Sequence, residues 1–187
     1  MNLEKYQQYS RIARGLEKAD LVLKNARIVN VFTEEIIRGD IAIQDGIIAG
    51  IGSFHGKEER DLAGRYVCPG FIDSHLHLES TLVTPAELVT AASRHGTTTF
   101  IVDPHESANV SGLAGIDYIL DQTEDVKANV YVMMPSCVPA TAIDDNGCTL
   151  TAEDMAPYLH NSRILGLGEV MDSISVVQGE KSMHDKL

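Results

Sequence analysis

At 187 residues and 44% hydrophobic content, the chain is globular in composition and long enough to bury a core. A formal net charge of −12 argues against nucleic acid or an anionic membrane surface as a partner, because both repel a strongly acidic protein. Cys68, Cys137 and Cys148 share no CxxC spacing and leave an odd thiol over, which fits packed thiols in a reduced compartment rather than a disulfide framework.

Residues 2–18 mix charges with Leu3, Tyr6, Tyr9, Ile12, Ala13 and Leu16 at helical spacing, which predicts an amphipathic N-terminal helix. The beginning shows no basic stretch followed by an apolar core. No apolar run approaches the roughly 18–20 residues of a membrane span, so a cytoplasmic protein without a membrane partner is expected. From Asp20 the period shortens. The runs 21–23, 26–29, 35–37, 40–43 and 47–51 are short and β-rich, and Asn25, Arg38-Gly39, Asp45-Gly46 and Gly52 punctuate them. Asp45-Gly46 between two apolar runs predicts a tight hairpin, and the whole stretch reads as a small antiparallel β unit. Residues 53–65 are polar and read as a loop, with His55 solvated.

Beyond Pro69-Gly70 the pattern alternates strand and helix. Strands are expected at Phe71-Ile72 and onward, at 97–102, at 129–134 and at 164–167. Helices are expected from Thr84-Pro85 to about Arg94, at about 111–123, and from Thr151. A βαβαβαβ order with continuous apolar strands predicts a parallel sheet wrapped by helices, an α/β fold. Periodicity alone leaves open whether that sheet is flat or curls into a barrel.

The most suggestive stretch is PGFIDSHLHLE, residues 69–79. Side chains alternate faces along a strand, so Asp73, His75, His77 and Glu79 are expected on one side. Two imidazoles two residues apart can converge on one metal ion, and flanking carboxylates can orient their ring N–H groups. The plain alternative is an exposed polar strand face. Three further strand ends carry polar groups: Asp103-Pro104-His105-Glu106, Pro135-Ser136-Cys137, and Glu169 after Gly166-Leu167-Gly168. In parallel α/β folds, active sites gather at that end of the strands. Cys137 has no local base and reads as a packed thiol. His95, His160 and His184 read as surface residues.

PGFIDSHLHLEST resembles the first barrel strand of the metal-dependent amidohydrolase superfamily. FIVDPHESANVSG, MMPSCVPAT and LGLGEVMDSISVVQGEKSMHDKL narrow the resemblance to the adenine deaminases. The resemblance implies a (β/α)8 barrel, of which residues 69–187 would be the first four β/α units. Residues 19–68 would be part of a β-sandwich, and residues 1–18 an N-terminal helix. It implies hydrolysis of adenine to hypoxanthine and ammonia at a pair of divalent metal ions, manganese or iron, with zinc possible. His75 and His77 would be metal ligands and Glu169 the carboxylate that bridges the ions. Taken alone, without the resemblance, Glu169 reads rather as an acid favoured by a helix N-terminus. Asp73, Glu79, Asp103, His105 and Glu106 are candidates to lie behind the ligands or touch substrate, with metal ligation or a purely structural role left open for His105 and Glu106. The family's acid/base aspartate, from a later strand, would fall outside this sequence, so the isolated chain is expected to be inactive. Family members often form homo-oligomers. Other readings are an amidohydrolase acting on a cyclic amide or N-acyl group, or a metal-binding relative without catalysis.

Overall fold

A computed structural model describes residues 2–141 and 143–187; Met1, the first residue of the expected N-terminal helix segment, and Ala142 lie outside the described residues. The chain divides into two units, 1–69 and 70–187.

In the first unit, helix α1 (Leu3–Ala13) is capped by Asn2, whose side chain accepts from the Lys5 N–H. Its inward face is narrower than the spacing suggests. Ile12 is buried against Ala19, Val22, Ala42 and Phe54, whereas Leu3, Tyr6 and Leu16 are exposed. Strands β1 (Ala19–Asn30), β2 (Glu35–Gln44) and β3 (Ile47–Gly52) form an antiparallel meander. The β2–β3 turn is the expected Asp45-Gly46 pair, with φ of 51° and 76°. Two positive φ values match the twist of a two-residue hairpin. Asn25 does not end β1. It sits at a register shift with φ 55°, and the strand continues through it.

The unit is not purely antiparallel, contrary to expectation. β4 (Gly56–Asp61) and β5 (Tyr66–Val67) both pair in parallel with β1. β4 also replaces the loop expected over 53–65. Its sequence, GKEERD, is exposed beyond Gly56. Charged side chains on an edge strand block further pairing, and that same charge hides the strand from an apolar-pattern reading.

The second unit is built on a four-stranded parallel sheet in the order β6 (Phe71–Leu76), β7 (Thr97–Val102), β8 (Asn129–Met134) and β9 (Ile164–Leu167). Helix α2 (Pro85–Ser93) follows β6, and α5 (Ala152–Met155) with a 3-10 extension follows β8. Thr151 and Asp154 form a capping box at the start of α5. Phe100, Val102, Val130, Val132 and Met134 from the sheet pack with Leu78, Val89, Ile116 and Ile119 into one core. The chain ends in two short helices, α6 (Ser173–Gln178) and α7 (Lys181–His184). No helix among the described residues is long and apolar enough to cross a membrane.

Between β7 and β8 there are two helices rather than a loop and one helix: α3 (His105–Ser111) and α4 (Leu113–Gln122). Gly112 separates them at φ 62°, and a Cβ there would lie 2.7 Å from Cys148 Sγ. The start of α3 is stabilised from a distance. Glu79 Oε1 accepts from the main-chain N–H groups of Glu106 and Ser107, at 3.1 and 3.2 Å. A carboxylate at those unpaired amides stabilises a helix N-terminus. Glu79 itself has left the β6 face. The strand stops at Leu76 and Glu79 opens a 3-10 turn, so the alternation expected over 73–79 fails at its last position.

Candidate metal centre

The carboxyl ends of all four parallel strands point the same way, and each delivers a polar residue there. β6 supplies His75 within its last turn of pleat and His77 just past its end. The Asp103 N–H donates to Leu76 O at 3.0 Å, tying the end of β7 to that of β6. A shorter bond follows: His77 Nδ1 lies 2.7 Å from Asp103 O. A carbonyl can only accept, so Nδ1 carries the proton and Nε2 is left with a free lone pair. That is the tautomer a metal ligand needs.

From β9, Glu169 reaches the same point. Its Oε1 is 3.5 Å from His77 Nε2, 3.8 Å from His75 Nε2 and 3.6 Å from His105 Nδ1. The His75 and His77 rings stand edge-on at 4.8 Å between centroids, and His77 and His105 at 4.6 Å. These N···O gaps are too long for good hydrogen bonds. They are near the roughly 3.4 Å between two atoms that share a tetrahedral ion at about 2.1 Å.

Two overlapping groups of ligand atoms result: His75, His77 and Glu169, and Asp103, His105 and Glu169. Buried polar atoms test whether the second group is merely structural. Asp103 is 1% exposed, yet its Oδ1 has no hydrogen-bond partner among the described residues. His105 Nδ1, 3.6 Å away, has none either. Buried polar atoms left unpaired are costly, so a pair facing one another across such a gap fits a cation there. Burial pushes the Asp103 carboxyl above its usual range; the Glu169 N–H and the imidazoles of His105 and His77 counter that, and the Glu169 carboxylate adds to it.

The remaining singled-out residues fall around this cluster. Asp73 is in β6, and its Oδ1 accepts from the His75 N–H at 3.3 Å. Glu79 stabilises the start of α3, of which His105 is the first residue. Glu106 is exposed and accepts from Ser80 Oγ at 2.5 Å. His95, His160 and His184 are exposed and belong to neither ligand group. Cys137 is buried. A cleft of about 650 Å³ beside α2 and α4, lined by Val89, Arg94, Asp121 and Lys127, contains none of the convergent groups.

Gly168 explains how Glu169 comes so close. A Cβ at 168 would lie 2.1 Å from Asp103 Oδ2. Only glycine lets Asp103 reach the next peptide, whose N–H it accepts at 2.9 Å. Sequence reading named Ser136 within Pro135-Ser136-Cys137 at a strand end but gave it no role. Its hydroxyl, 1% exposed, donates to Glu169 O at 2.5 Å. The only sequence signal was its place directly after Met134-Pro135 at a strand end.

The adenine deaminase of Desulfitobacterium hafniense (strain Y51) is 57% identical to this chain over 187 residues, covering 100% of the chain and 33% of that protein. That of Geobacillus kaustophilus (strain HTA426) is 51% identical over 170 residues, covering 91% and 30%. The chain thus spans about a third of the length of the curated relatives it matches. A solved N-acyl-D-glutamate deacylase from Bordetella bronchiseptica, complexed with zinc and a phosphonate inhibitor, aligns with TM-score 0.46 and 23% identity, over 63% of this chain and 30% of that one. Residues 66–180 match the Amidohydrolase family, a stretch that holds His75, His77, Asp103, His105 and Glu169, and the chain belongs to that metal-dependent family.

Proposed function

We propose that the polypeptide carrying this sequence hydrolyses adenine to hypoxanthine and ammonia, as a metal-dependent adenine deaminase of purine salvage. The observation that carries the reading is the convergence of His75 Nε2, His77 Nε2 and Glu169 Oε1. It occurs in a chain 57% identical along its length to an adenine deaminase.

His75, His77 and Glu169 are the metal ligands in this reading, with Glu169 the carboxylate shared between two divalent ions, manganese or iron, zinc being possible. Divalent ions held by these residues would supply the Lewis acidity that makes water nucleophilic near neutral pH. The chain's own residues set the geometry. His77 presents Nε2 because its other nitrogen is committed to Asp103 O. Asp103 holds the Glu169 peptide through its buried Oδ2. His105 stands between Asp103 and Glu169, placed to hold a proton or touch the purine. Asp73 steadies the His75 main chain, and Glu79 and Ser80 tie the end of β6 to α3 and Glu106.

The same reading takes residues 69–187 as the first four β/α units of a (β/α)8 barrel, 19–68 as part of a β-sandwich and 1–18 as an added helix. Four parallel strands in sequential order support it. A cytoplasmic homo-oligomer acting on free adenine, without nucleic acid or membrane, completes the proposal.

The test is release of ammonia from adenine by the longest native polypeptide containing this sequence, loaded with Mn(II). Turnover lost in His75→Ala and Glu169→Ala supports the reading. Metal binding without adenine turnover, but with hydrolysis of a cyclic amide or N-acyl substrate, replaces it.

A further inference from the structure

The stretch 168–172, which carries Glu169, lies between β9 and α6 and belongs to neither a strand nor a helix. Its main chain is held from the ends of the neighbouring strands. The Gly168 N–H donates to Met134 O at 2.7 Å. The Glu169 N–H donates to Asp103 Oδ2 at 2.9 Å, and its carbonyl accepts from Ser136 Oγ at 2.5 Å. Three residues on, the Asp172 N–H donates to Cys137 Sγ at 3.3 Å.

Ser136 Oγ also lies 3.1 Å from Cys137 Sγ. A hydroxyl has one proton, and the Glu169 carbonyl can only accept it. The thiol therefore donates to the hydroxyl. A continuous relay follows, from the Asp172 N–H to the thiol, to the Ser136 hydroxyl, to the Glu169 carbonyl. It leaves the segment at 172 and returns to it at 169, and bonds in such chains strengthen one another in a dry interior. Ser136 and Cys137 are 1% and 3% exposed. The Ser136 carbonyl is itself held by Lys186 Nζ at 2.9 Å.

We propose that Ser136 is a positioning residue for Glu169, its buried hydroxyl fixing the peptide that aims the carboxylate at the metal centre. The proposal rests on Glu169 being a metal ligand. Partners behind a ligand set its direction, and losing one weakens metal binding by about 10–100-fold. Without the Ser136 hydroxyl the Glu169 carbonyl loses its donor, and the Glu169 residue is anchored through its N–H to Asp103 alone. A misplacement near 1 Å is enough to cost about 100-fold in rate.

Thr123 is the control. It is a second buried hydroxyl, 2% exposed, donating to Ile119 O at 2.7 Å within the helical layer. In the longest native polypeptide containing this sequence, Mn(II) affinity is measured by chelator competition, beside kcat and KM for adenine and the Tm of the metal-free protein. Ser136→Ala is expected to weaken Mn(II) binding by about 10-fold or more and to lower kcat, with KM for adenine within about twofold. Thr123→Ala is expected to lower Tm while leaving Mn(II) affinity within about twofold. Ser136→Thr, which keeps the hydroxyl, is expected to recover most of the affinity. Native Mn(II) affinity in Ser136→Ala overturns the proposal, as does an equal loss in Thr123→Ala. Should Ser136→Ala not fold, Ser136→Cys weakens the donor and keeps the shape: a loss of about threefold or more supports the role, and no loss overturns it. Absence of adenine turnover in the native protein sinks the substrate assignment alone, because the Mn(II) comparison still decides the role of Ser136.

Discussion

Each unit buries one conspicuous aspartate, and the two are treated in opposite ways. Asp40, 6% exposed in the N-terminal unit, has its oxygens fully engaged: Lys24 Nζ at 2.5 Å, the Phe54 N–H at 3.2 Å and the Asn25 N–H at 3.0 Å. Burial by itself would raise its pKa, but the Lys24 ammonium and the two amides outweigh that and hold the carboxyl below its usual range. Asp103, 1% exposed in the second unit, has one oxygen satisfied by the Glu169 N–H and the other by nothing among the described residues, and burial pushes its pKa up. A completed set of partners marks a residue that holds a fold together. An incomplete set, facing an imidazole whose nearest nitrogen is also unpaired, marks a place where the protein keeps room for something else.

The comparison breaks most visibly at the proposed ligands. Alanine at His75, His77 or Glu169 is expected to cut metal affinity and adenine turnover of the full polypeptide by at least about 100-fold, the upper end of what even outer partners cost. Metal analysis after dialysis, alongside an ammonia assay, checks it.

Next comes Asp40→Ala, which takes from the half-buried Lys24 its carboxylate partner and leaves it the Phe54 carbonyl. Breaking such a pair costs about 3–5 kcal/mol, read as a lower denaturant midpoint, with no change in metal affinity. The pH dependence has a definite sign. The folded pKa of Asp40 is depressed, so its stabilising contribution is complete above the unfolded value near 3.9 and is lost as pH falls through the folded one. Asp40→Asn is expected to flatten that acid-side loss in a denaturation series.

Asp103→Asn sharpens the contrast. Asp103 has a raised folded pKa, so its ionised form opposes folding, and the penalty is complete above that pKa and absent below the unfolded one. The neutral isostere is therefore expected to leave the metal-free protein as stable as before, or more so, at neutral pH. It is expected to weaken metal binding by about 10-fold. Calorimetry of the metal-free protein beside chelator competition separates the two effects. The smallest effect belongs to Thr151→Ala, which removes the capping box of α5 and costs about 1 kcal/mol, with metal affinity unchanged.

What could be read from the chain alone follows from where the physical causes lie. β7 and β8 are rich in β-branched and apolar residues, β9 is a short apolar run, and the Asp45-Gly46 turn carries its own conformational demand, so local sequence suffices for them. β4 was unreadable because an exposed edge strand with charged side chains carries no apolar alternation. α3 was unreadable because part of what stabilises its first turn, Glu79, lies 27 residues upstream of Glu106. The centre divides along the same line. His75 and His77 announce themselves by spacing and Glu169 by its motif. Ser136 does not, since its acceptor lies 33 residues downstream and a single hydroxyl after a strand suggests nothing by itself. The failure of alternation at Glu79 was likewise tertiary: the strand ends where its carboxylate turns to the amides of α3.

The most direct test is the Mn(II) affinity of the longest native polypeptide containing this sequence, compared with His77→Ala, Glu169→Gln and Asp40→Asn. The account predicts that the first two substitutions lose the ion while Asp40→Asn binds it as the native protein does. Unchanged binding in His77→Ala and Glu169→Gln would contradict it, and would reduce the convergence at the ends of β6 and β9 to a polar surface.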